Sequence, residues 1–143
     1  MRWQAWDDHV NNSERFSLYR QFKTLACVEP YIMLNFNIYI RYALTRFRFG
    51  VSDIKVHRSR YKLYNVDELK CLLCLSALDN EVHFVLCCPA FEDLRYEFIE
   101  SKYFNNLCEF RVALLLATQN ERVLKNLALF LYKAFSRRKT LLS

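Results

Sequence analysis

The stretch CLLCLSALDNEVHFVLCC, Cys71 to Cys88, decides how the chain is read, because it holds four of the six cysteines and one of the three histidines. A tetrahedral metal centre needs four soft or borderline donors converging on one point. A Cys-x-x-Cys turn aims two thiolates at the same spot, and a later His and Cys can close the shell. The spacing here is Cys71-x2-Cys74-x8-His83-x4-Cys88. The CLLC pair alone is weak evidence, since free cysteine packs as a small hydrophobe. With a His and a Cys arriving at closing distance, the pattern predicts a Cys3His site for Zn²⁺. Two residues compete for the fourth position. Cys87 stands at x3 from His83, which puts both donors on one helical face, whereas Cys88 at x4 requires the helix to unwind by Pro89. On helix geometry alone Cys87 is slightly favoured.

The flanking sequence sets the chemical context of these thiols. The opening MRWQAWDDHV lacks the apolar core of a secretion signal. No run of about 18 uncharged apolar residues is present, because YIMLNFNIYI is cut by Asn35 and Asn37 and stopped by Arg41. The expected setting is intracellular, nuclear or cytoplasmic, away from membranes. There paired cysteines serve as metal ligands more often than as disulfides. Cys27 and Cys108 lie in helical patterns far from the cluster and are expected in the core, and His9 and His57 are expected at the surface.

A chain of 143 residues with 53% apolar and 16% aromatic residues, one glycine and two prolines predicts helices joined by short loops. The expected fold is mainly α, a small helical domain with an embedded zinc knuckle. A first helix is expected over about Glu14 to Thr24, capped by Ser13. A second should start after Pro30 and run to Gly50, burying Ile40, Leu44 and Phe47 and turning Arg41, Thr45 and Arg48 outward. Residues 51 to 69 read as an extended basic loop or short strand. PAFEDLRYEFIESKYF, CEFRVALLLA and NERVLKNLALFLYKAFSRR read as three more helices. Thr118 to Glu121 is expected as a capping box, and Val123, Leu127, Phe130, Leu131 and Ala134 as the buried stripe of the last helix. The chain divides into 1–64, a helical segment ending in basic residues; 65–100, the knuckle and its following helix; and 101–143, the C-terminal helices, together forming one compact domain.

Formal charge is +6 and is local. Between residues 41 and 62, Arg41, Arg46, Arg48, Lys55, Arg58, Arg60 and Lys62 face a single acid, Asp53, and a second small block, Arg137 to Lys139, lies near the end. Such concentration suits a polyanion, because each neutralised phosphate releases condensed counterions. Aromatics interleaved with these cations suit base stacking as well.

The knuckle, preceded by FRFGVSDIKVHRSRY and followed by CPAFEDLRYEFI, resembles the C-terminal zinc-knuckle region of non-LTR retrotransposon endonuclease and reverse-transcriptase proteins. EVHFVLCCPAF matches that family's Glu-x-His-Phe and Cys-Pro from Glu81 to Phe91, and SLYRQFK, RYALTRFRFG and NLALFLYKAFSRR look similar too. The resemblance implies Cys71, Cys74, His83 and Cys88 as ligands, since the family's last ligand is the Cys before Pro. It also implies a module without chemistry of its own that helps a polymerase core hold template RNA or target DNA. The aromatic-x-Asp-Asp hairpin of a polymerase is absent: AWDD, Ala5 to Asp8, lacks both the aromatic and the apolar flanks, and no third carboxylate region supports two-metal chemistry. The expectation is a non-catalytic, zinc-containing nucleic-acid-binding module, with a structural or protein-interaction tail as the alternative.

Overall fold

The computed structural model describes residues 36–59, 66–104 and 108–143, together with Asp8 and Tyr19. Among them the chain is mainly helical, and the sole β pairing is an isolated bridge between Lys70 and Leu78. Helix α1 spans Ile38–Arg48. The expected helix over 31–35 lies outside the described residues, and α1 itself begins at Ile38, because Asn37 leaves the helical region (φ −58°, ψ 141°) and its side chain accepts from the Tyr39 N–H at 2.8 Å. It ends at Gly50, the sole glycine, which takes the left-handed conformation at φ 68° that terminates helices most cheaply. Ile40, Leu44 and Phe47 are buried as expected. The expected helix over Glu14 to Thr24 falls outside the described residues apart from Tyr19, which is helical, buried and 5.0 Å from the Phe49 ring.

The basic stretch corrects the sequence reading. Where an extended loop or short strand is expected, the described residues form a short helix, α2, over Lys55–Ser59 and a 3-10 turn at Val66–Leu69, with 60–65 outside the described residues. The N-terminal cap of α2 is remote: the Asp79 carboxylate, 24 residues downstream, accepts the Lys55 N–H at 2.8 Å. A local pattern carries no trace of that cap.

After the cysteines, a 3-10 turn at Pro89–Phe91 leads into α3, Glu92–Phe98, with Glu92 and Asp93 in its first turn. This helix is shorter than the sequence suggests. The backbone extends at Ile99 (φ −116°, ψ 129°), whose side chain is buried, and Ser101–Phe104 forms a separate 3-10 turn. Helix α4 covers Glu109–Leu116 and α5 covers Glu121–Leu142. Asn120 rather than Thr118 caps α5, its side chain accepting from Val123 N–H at 3.1 Å, while the Thr118 hydroxyl accepts from Asn120 N–H. The buried stripe of α5 contains Leu127, Phe130, Leu131 and Ala134 as expected, adds Leu124 and Ala128, and leaves Val123 half-buried.

At 22 residues and about 33 Å, α5 is the spine of the fold. It packs chiefly against α1, and against α3 and α4. One buried cluster runs from Phe36 through Cys71, Phe84 and Phe91 to Ala134, so the cysteine segment shares its core with the helices. Cys108 is half-buried where α4 begins, not within a helix as the pattern suggests, and Cys27 lies outside the described residues. Among the described residues no helix is long and apolar enough to cross a membrane.

Candidate metal centre

Cys71 and Cys74 sit on a tight knuckle. Cys71 N–H donates to the Ala77 carbonyl at 2.8 Å, Leu75 N–H donates to the Cys71 carbonyl at 3.0 Å, and Leu75 adopts φ 61° at the tip. A left-handed leucine costs about 1–2 kcal/mol, so the bonds around it must hold the turn. The other two donors come from the segment Glu81 to Cys88. Its His83–Cys87 portion is a π-turn, closed by Cys88 N–H to the His83 carbonyl at 2.7 Å.

The π-turn settles which cysteine joins the cluster. An α-helical turn brings residue i+4 under residue i, but the wider turn shifts the next position, Cys88, toward the side of His83. Cys88 then leaves the helix at ψ 123° ahead of Pro89. The ligand atoms of Cys71, Cys74, His83 and Cys88 all lie within 4.8 Å of one another. Cys87, favoured by ordinary helix geometry, stands outside this group, half-buried, with burial pushing its thiol pKa up.

The separations suit a tetrahedral ion. Bonds of about 2.3 Å to sulfur and 2.0–2.1 Å to imidazole nitrogen place two sulfurs about 3.8 Å apart and a sulfur and a nitrogen about 3.5 Å apart. Cys71 Sγ and Cys88 Sγ are 3.9 Å apart, and Cys74 Sγ and His83 Nε2 are 3.3 Å apart. A disulfide needs about 2.05 Å, so these sulfurs are not bonded to one another, and the separations suit a shared ion. Desolvation, reinforced by the neighbouring Cys71 and Cys74 sulfurs, pushes the Cys88 thiol up to about 12 in the absence of a cation. Cys74 is also desolvated, yet the hydroxyl and N–H of Ser76 hold its thiol below the usual range. Burial keeps His83 neutral by lowering its pKa, with Arg95 and Arg138 adding to the effect and Asp79 opposing it. Neutral imidazole is the ligating form.

Three groups around the cluster escaped the sequence reading. Arg95 is buried and donates from Nε to the Val85 carbonyl at 2.8 Å and from Nη2 to the Cys88 carbonyl at 2.9 Å. Three thiolates around a divalent ion would carry a net charge of −1, which this guanidinium would offset. Phe84, next to His83, stacks on Phe135 at 4.4 Å and meets Phe91 and Phe130 at 5.1 and 6.2 Å, anchoring the ligand segment to α5.

The third is His57. It is not a surface residue but is 1% exposed. Its Nδ1 receives the Ser52 N–H at 3.3 Å and lies 2.6 Å from the Ser52 hydroxyl, while Nε2 is 2.9 Å from the buried Glu81 carboxylate. A backbone N–H only donates, so in the neutral ring Nε2 carries the proton and donates to Glu81. This Ser52, His57, Glu81 chain ties the start of α2 to the segment that carries the metal ligands.

The basic residues divide. Arg48 is withdrawn from the expected outward face: it is 5% exposed and donates to the Leu116 carbonyl at 2.6 Å, locking α1 to the end of α4. Arg41 is half-buried and donates to the Phe36 carbonyl. Arg137 grips Asp93 with both nitrogens at 2.6 and 2.9 Å in a pair at the surface, and of the C-terminal basic block Arg138 alone is internal, buried against Asp79. Lys139 and Arg58 are exposed, and Arg46 and Lys55 are half-buried around Asp53. Arg60 and Lys62 lie outside the described residues, as does His9. Asp8 is exposed.

The described chain is therefore a mainly helical fold carrying a Cys3His cluster suited to a metal ion. In comparisons with protein-family models, curated proteins and solved structures, nothing matches this chain.

Proposed function

We propose that this chain is a non-catalytic, zinc-braced nucleic-acid-binding module, similar to the tail of a non-LTR retrotransposon reverse transcriptase and assisting a polymerase core in holding template RNA or target DNA. Three thiolates and one imidazole at tetrahedral separations are the donor set zinc prefers, and four protein donors leave no position for a reactive water. The ion's role is then structural, and no catalytic chemistry is assigned to the cluster.

The observation that carries the binding role is the placement of the outward cations. Arg46, Lys55, Arg58 and Lys139 come from three different elements and gather around one carboxylate, Asp53. Asp79 and Glu81, from the ligand-bearing loop, hold α2 and His57 in place, so the metal loop supports the basic surface. Guanidinium groups suit phosphate because their planar donors match its oxygens.

The test is affinity for RNA and DNA oligonucleotides as a function of salt, comparing the zinc-loaded wild type with a variant carrying Arg46→Ala, Lys55→Ala and Arg58→Ala. Loss of three phosphate contacts should flatten the log affinity against log salt slope by about 2 for a single strand. Full affinity with an unchanged slope in the variant would sink the proposal.

A further inference from the structure

A furrow between α1 and α5 combines two chemistries. On α1, Tyr39, Tyr42 and Arg46 follow at helical spacing, and on α5 so do Tyr132, Ser136 and Lys139. These six help line a pocket of about 270 Å³. The rings of Tyr39 and Tyr132 meet across the helices at 6.4 Å, and the Arg46 guanidinium lies 5.6 Å from the Tyr42 ring centre. Tyr39 and Tyr42 are 65% and 62% exposed, so the core does not account for them. A second pocket of about 410 Å³ shares Asp53, Phe135 and Lys139 with the first and adds Lys55 and Arg58. An aromatic end thus continues into a cationic one.

We propose that this furrow seats an unpaired nucleotide of a single-stranded nucleic acid, its base against Tyr39, Tyr42 and Tyr132 and its flanking phosphates on Arg46, Lys55, Arg58 and Lys139. The assignment rests on the nucleic-acid reading above and adds to it the strand state and the stacking residues. Stacking requires a free base face, which a duplex hides within its own stack. Because every base has such a face, binding at the tyrosines is tolerant of sequence. One Arg46 nitrogen donates to the Val51 carbonyl at 2.6 Å and lies 3.8 Å from Asp53, Arg58 donates to Asp53 at 2.7 Å and Lys55 Nζ to the Glu68 carbonyl at 3.0 Å. A phosphate would exchange with these partners as well as use the other guanidinium N–H groups. An acidic peptide would satisfy the cations but leave the tyrosines without a role.

The experiment uses the full zinc-loaded chain and four fluorescent probes of equal length: oligothymidine, the same strand with abasic sites, a duplex, and polyglutamate. Wild type should bind oligothymidine roughly 5 to 150 times more tightly than the abasic strand, and more tightly than the duplex. The Tyr39→Ala, Tyr132→Ala variant should lose that preference, and the Tyr39→Phe, Tyr132→Phe variant should keep it. Equal affinity for base-bearing and abasic strands, an alanine variant that retains the preference, or duplex binding as tight as single-strand binding would overturn the furrow assignment and leave the broader reading standing. Polyglutamate bound as tightly as oligothymidine would overturn it in favour of an acidic protein partner. No binding of any strand at low salt would overturn both readings. The abasic comparison needs no substitution, so it decides the matter even if the alanine variant unfolds.

Discussion

Arg138 of α5 holds Asp79 of the cysteine loop through both terminal nitrogens, Nη2 to Oδ2 at 2.6 Å and Nη1 to Oδ1 at 3.3 Å, with both side chains almost wholly buried. Asp79 Oδ2 also takes the Lys55 N–H. One carboxylate therefore joins α5, α2 and the cysteine loop. Arg138→Leu should destabilise the zinc-loaded protein by about 3–5 kcal/mol, because it leaves a buried charge unpaired. Urea unfolding followed by circular dichroism checks this, and a loss below about 1 kcal/mol would contradict it.

The π-turn makes a sharp forecast about two adjacent thiols. Cys87→Ser should retain one equivalent of zinc, and Cys88→Ser should lose most of it, as read by metal analysis after gel filtration. The reverse pattern would mean that the segment relaxes to an ordinary α-turn in solution.

Acid should release the ion. Without metal, Cys88 is protonated at neutral pH, its thiol standing near 12, so binding must displace that proton. The sign follows: zinc affinity rises with pH, by about tenfold per unit for each proton displaced, and falls as pH is lowered. Calorimetry in buffers of different ionisation enthalpy counts the protons, and a pH-independent affinity between pH 6 and 8 would refute the expectation.

His57→Leu should cost about 1–3 kcal/mol, since it removes a buried hydrogen-bond donor to the Glu81 carboxylate and leaves an apolar group in its place. Glu81→Gln keeps an acceptor for the imidazole N–H and should cost markedly less. Thermal melts of the two variants distinguish a buried ion-dipole strut from a surface pair, for which both effects would be small.

The ligand spacing was legible because metal geometry is written in short intervals, and the stripes of α1 and α5 because burial repeats with the helix. What stayed hidden depends on distant partners. His57 sits among basic residues and looks solvated, yet its acceptor is Glu81, 24 positions away. The cap of α2 comes from Asp79, and nothing near Lys55 announces it. The choice between Cys87 and Cys88 turned on a π-turn, which a 3.6-residue period cannot show. The family resemblance pointed to Cys88, whereas local periodicity pointed the other way.

The arginines fall into two populations with different tolerances to exchange. Arg48, Arg95 and Arg138 each use the planar reach of a guanidinium to carbonyls or carboxylates inside the fold. Lysine preserves charge but not that fork. Arg58, exposed beside Asp53, contributes mainly charge. Saturation mutagenesis scored for folding should therefore accept lysine at Arg58 and reject it at the three internal positions, separating the arginines that build the molecule from one that its surroundings can use.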